Sequence, residues 1–72
     1  MRKAVATYIL YPHGIAGFIG TTDGRETSLY VSRDVNETDE RLRGRMYELV
    51  IARVRYEGAT LEYFTEVARE PK

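Results

Sequence analysis

Apolar and polar positions recur with a period of two over much of this chain, and that period predicts strands. Residues 3–11, "KAVATYILY", are rich in β-branched and aromatic types and stop at Pro12. "PHG" reads as a turn, with Gly14 free to take a positive φ. "IAGFIG" at 15–20 resumes an extended run whose glycines suit a bend or a close backbone approach. Asp23-Gly24 is a hairpin signal, and "TSLYVSR" at 27–33 sets Leu29 and Val31 on one side, Tyr30 and Ser32 on the other. Three antiparallel strands in a meander follow.

The middle of the chain supports two periods. As one long helix, 36–57 would be capped by Asn36 or Thr38, with acidic residues at its start and Gly58 at its end. Its stripe of Leu42, Met46, Leu49 and Val50 would then hold Arg53 at the centre, with Ile51 pointing away. As a strand, "ELVIARVRY" at 48–56 sets Val50, Ala52, Val54 and Tyr56 against Arg53 and Arg55. "TLEYFTEV" at 60–67 alternates likewise. The better fit to the pattern is a short helix in "NETDERLR", closed near Gly44, followed by two more strands. The expected fold class is therefore all-β, a small five-stranded OB-like barrel with a short helix between strands 3 and 4. The competing architecture is α+β, a four-stranded antiparallel sheet with one long helix. In the barrel the expected core is Val5, Ile9, Ile19, Leu29, Val31, Leu42, Val50, Val54, Leu61 and Val67.

Length and composition narrow the function. The 72 residues predict a single small domain, 1–72, with little room for a deep cleft. Without cysteine there is no disulfide or Cys-based metal site, and the lone His13 has no second histidine to join it. No phosphate loop or dinucleotide fingerprint occurs, so the expectation is a binding protein without catalysis, cofactor or metal. The apolar runs are too short for a membrane span or signal peptide, which predicts a cytoplasmic protein without a membrane partner.

Charge cuts against nucleic acid unless it is gathered on one face. Eleven basic residues balance eleven acidic ones. They fall in blocks: Asp34, Glu37, Asp39 and Glu40, then Arg41, Arg43, Arg45, Arg53 and Arg55 around Glu48. Blocks of this length are commonly solvated ion pairs.

Aromatic residues supply the candidate site. If Leu29, Val31 and Ile19 face inward, Phe18 and Tyr30 share the outer face of neighbouring strands, and Tyr8 can join them, with Tyr11 near the rim. Such a platform stacks bases at about 1–3 kcal/mol each with little regard to identity. Lys3, His13, Arg25 and Arg33 would frame it for phosphates. The plain alternative is cross-strand aromatic pairing that stabilises the sheet.

At these residues the chain resembles a cold-shock domain, a five-stranded OB barrel that binds single-stranded DNA and RNA. "GIAGFI" at 14–19 is similar to the family's K-G-F-G-F-I signature, and "LYVSR" at 29–33 to its V-F-V-H-F. "LRGRMYELVI" at 42–51 is similar to its Leu-x-x-Gly run before strand four, one residue shorter. Ser32 and Arg33 stand where the family has histidine and phenylalanine, and Tyr8 where it has tryptophan. The resemblance implies single-stranded RNA or DNA as the partner, bound through Tyr8, Phe18 and Tyr30.

A second reading belongs to a different class, a small protein-binding module or inhibitor. It needs no net positive charge, and Tyr and Arg are favoured at interface hot spots. Tyr47, Tyr63 or Phe64 could dock a partner. An exposed edge strand could pair with another chain or form a homodimer.

Overall fold

A computed structural model describes residues 2–11, 14–21 and 25–67 of the chain. Along them run β1 (Arg2–Tyr11), β2 (Gly14–Thr21), β3 (Glu26–Ser32), α1 (Asp39–Tyr56) and β4 (Ala59–Glu66). The sheet has the order β3-β2-β1-β4. The meander β1-β2-β3 is antiparallel as its sequence predicts, with Thr7 opposite Phe18 and Ala16 opposite Tyr30. The hairpin signal Asp23-Gly24 lies outside the described residues, between the paired Gly20 and Glu26.

The five-stranded barrel is not what forms. The sheet is open, four-stranded and mixed, because β4 runs parallel to β1. Residues 48–56, expected as a strand, belong to one 18-residue helix. The α+β alternative therefore matches, with one edge parallel where an all-antiparallel sheet was expected. The helix is capped as the long reading predicts. Thr38 accepts a hydrogen bond from the Arg41 amide at 3.2 Å, and Asp39 and Glu40 occupy the positive end of the dipole. Gly58, at φ 71°, stops it, its N–H bonding to the Arg55 carbonyl.

The helix buries Leu42, Met46, Val50 and Val54, a strict every-fourth row that leaves Arg53 to one side. Val50 and Val54 satisfy both a period of two and a step of four, so the local pattern could not separate strand from helix.

That row packs on one face of the sheet, against Ala4, Ala6, Tyr8, Ile15 and Val31. Leu10, Leu29, Ala59, Leu61 and Phe64 border the same core. The thinnest dimension of the fold is 15 Å, enough for one sheet and one helix. The other face of the sheet has no layer over it among the described residues.

The expected core is corrected accordingly. Val31, Leu42, Val50 and Val54 are buried, and Leu29 and Leu61 pack against them, but Val5 and Val67 are exposed and Ile9 is only half-buried. The side chain of Ile19 lies outside the described residues. In β1 both alternating sets are apolar, so a period of two cannot choose the inward one. Close packing of the helix chooses, and it takes the alanines.

Candidate binding face

The uncovered face is built by the strand phase just described. From β1 it takes Lys3, Val5, Thr7, Ile9 and Tyr11, the residues alternate to those under the helix. In register with them are Ala16, Phe18 and Gly20 of β2, Ser28 and Tyr30 of β3, and Tyr63 and Thr65 of β4. A bulge between Ala4 and Val5 leaves Glu62 as an extra residue on β4. It lets Tyr63 stand beside Val5 while Glu62 meets Lys3 at 3.3 Å.

Large apolar side chains form a diagonal across the four strands: Tyr30, Phe18, Val5 and Tyr63. Tyr30 is 79% exposed, Tyr63 59% and Phe18 40%. Small residues lie beside this ridge. Ala16 sits between Ile9 and Tyr30 and is only 4% exposed. Gly20 lies between Val5 and Glu26, so a carboxylate borders the ridge on this face.

The structure brings Phe18 and Tyr30 together as diagonal neighbours, which alternation alone predicts. It does not bring Tyr8 to them. Tyr8 points to the helix, 6% exposed, and stacks on Phe64 with ring centroids 4.6 Å apart. Tyr47 closes on Phe64 edge-on at 5.1 Å. Tyr8 is thereby part of the packed layer, and the aromatic of β4 that the sequence reading did not place on the open face is Tyr63. The signal for it was the alternation of Tyr63 with Phe64, disguised by the bulge.

The expected phosphate-binding cations are mostly engaged elsewhere. Arg33 forms an ion pair with Asp39 at 2.7 Å and donates to the carbonyls of Glu37 and Tyr11, clasping the loop between β3 and α1. Lys3 is countered by Glu62. Arg25 is exposed at the start of β3. His13 lies outside the described residues. Three of the five arginines in the block on α1 are likewise paired, Arg43 with Glu66, Arg45 with Glu37 and Arg53 with Glu57. It sits on the layer opposite the open face.

The strongest electrostatic feature is away from that face too. Both Nε and NH2 of Arg45 donate to the Glu37 carboxylate, at 3.1 and 2.6 Å, and the Asp34 amide donates at 2.9 Å. These bonds hold the Glu37 carboxyl down to about 2, with the Arg45 hydrogen bond the leading cause. The arrangement fastens the loop between β3 and α1. Among the described residues, no group of three or more His, Asp or Glu side chains converges as a metal site. No helix among the described residues is long and apolar enough to cross a membrane.

Compared with known proteins, the chain matches no family model, no curated protein and no solved structure.

Proposed function

We propose that this chain is a non-catalytic binding domain that docks a protein through the open face of its sheet. One observation carries the reading. On β1 Ala4, Ala6 and Tyr8 face the helix while Val5 and Ile9 face out, joined by Phe18, Tyr30 and Tyr63. Val5, Phe18, Tyr30 and Tyr63 thus stay exposed among the polar residues of that face, where an open sheet face ordinarily carries polar side chains. Exposed apolar surface of this kind marks interaction sites. Aromatic side chains are the anchors typical of protein interfaces.

Stacking of single-stranded RNA or DNA on Phe18 and Tyr30 is the second reading, favoured by their diagonal placement on one face and by exposed Arg25 near the same edge. The charge argues for protein over nucleic acid. Most cations among the described residues already meet a carboxylate or carbonyl, and the face collects no basic patch to release counterions from a phosphate backbone.

The test is a photo-cross-linker, p-benzoylphenylalanine, placed at position 30 in the producing cell, with position 49 on the outer side of α1 as control. Protein adducts from position 30 and none from 49 are expected. Adducts to nucleic acid, or none at all, would remove the reading.

A further inference from the structure

The helix layer borders a second concave feature, between α1 and the edge strand β4. Tyr47, Ile51 and Arg55 stand four residues apart, so they line one flank of the helix. Ala59 and Leu61 of β4 form the facing wall and buried Val54 the floor of a groove of about 260 Å³. Ile51, Ala59 and Leu61 are half-buried, and Tyr47 is exposed. In the sheet order β4 has β1 on one side, and no strand among the described residues pairs its outer edge.

We propose that this groove binds the C-terminal tail of a partner protein, added to β4 as an antiparallel fifth strand. The last apolar side chain of the tail enters the groove and its carboxylate meets Arg55. The site is separate from the open face and does not depend on it.

Geometry selects an extended peptide. Strand addition uses an edge that offers main-chain hydrogen bonds and an adjoining groove that receives alternate side chains. The groove is smaller than the roughly 300–1,000 Å³ of small-molecule sites and suits one or two side chains.

Charge selects the terminus and its direction. The Arg55 guanidinium is exposed and forms no ion pair or hydrogen bond among the described residues, whereas Arg43 on the same flank is held by Glu66. Arg55 borders Ala59, where β4 begins, so a strand antiparallel to β4 ends beside it. A parallel strand would bring an amino terminus to the same arginine, like charge to like. A guanidinium can donate two parallel hydrogen bonds to a carboxylate. Arg55 also stands in the last turn of α1, where it offsets the negative end of the helix dipole.

The hollow on the opposite flank of α1 lacks this complementarity. Three carboxylates, Asp34, Glu37 and Glu48, line it against Arg41 and an Arg45 already bonded to Glu37.

The bulge sets the length that is read. Glu62 interrupts the regular edge just after Leu61, so about three residues of the tail can pair, over ~10 Å. Recognition is therefore confined to the very end of the partner.

Selection on the purified chain from a library of random peptides displayed with free C termini tests the proposal. Enriched sequences should end in an apolar residue. A synthetic peptide of the enriched sequence should shift the backbone amides of residues 51, 55 and 59–61 and leave those of 18 and 30 unmoved. Amidating its terminus should weaken binding by about 10-fold or more, as loss of a charged hydrogen bond does. Arg55→Ala should weaken the free acid by a similar factor and leave the amide unchanged, a coupling that general damage to the fold would not produce. Far-UV circular dichroism shows whether the variant is folded, and the comparison of acid with amide on the native chain decides even if it is not.

No enrichment overturns the proposal. So does an enriched peptide that binds equally as acid and amide, or one whose shifts fall on the open face instead.

Discussion

The thioether end of Met46 fills the place where a β-carbon on Gly17 would sit, so a helix side chain seats directly against the backbone of β2. Met46 is fully buried and has little room to turn aside. Gly17→Ala should cost about 1–3 kcal/mol by overpacking. In a Met46→Ala background the same change should cost little, giving a coupling above about 1 kcal/mol in a double-mutant cycle read by urea unfolding. Additive effects would mean that the contact is not made.

Gly44 is a different case. It sits inside α1, exposed, with no atom near where a β-carbon would stand. Gly44→Ala should therefore stabilise the fold by about 0.5–1 kcal/mol through helix propensity. Gly58→Ala should do the reverse, since its φ of 71° strains any side chain. Opposite shifts in the unfolding midpoint check both.

Tyr8 and Tyr30 should separate packing from binding. Tyr8→Ala removes a ring stacked on Phe64 in the buried layer and should cost about 3–5 kcal/mol. Tyr30→Ser alters a side chain in solvent and should change monomer stability by less than about 0.5 kcal/mol, while weakening capture at the open face. Thermal unfolding measured at low protein concentration distinguishes the two.

Acid should loosen the clasp between β3 and α1. Glu37 has its ordinary value of 4.5 when unfolded and about 2 when folded, because Arg45 and the Asp34 amide bond its carboxylate. Its contribution is complete above about pH 4.5 and is lost as the pH falls towards 2. Unfolding free energies across that window should fall more steeply for the native chain than for Glu37→Gln. Parallel curves would show that the clasp does not add to stability.

The alternation of the first three strands and the helix caps are local properties, and the sequence by itself determined them. The three-stranded meander, the neighbourhood of Phe18 and Tyr30, the Thr38 cap and the Gly58 stop can all be read from residues within a few positions of one another. Each depends on backbone geometry that a short segment already has.

Only the tertiary structure decided the state of residues 48–56, the direction of β4 and the inward side of β1. Val50 and Val54 suit either period until a sheet offers a surface for the row begun by Leu42 and Met46. Both sides of β1 are apolar, and its phase is set by how closely a helix can approach Ala4, Ala6 and Gly17. Tyr8 followed that phase into the core, and Val5 and Ile9 followed it out. Burial is a property of what packs against a residue, and the partners here lie far away in the chain.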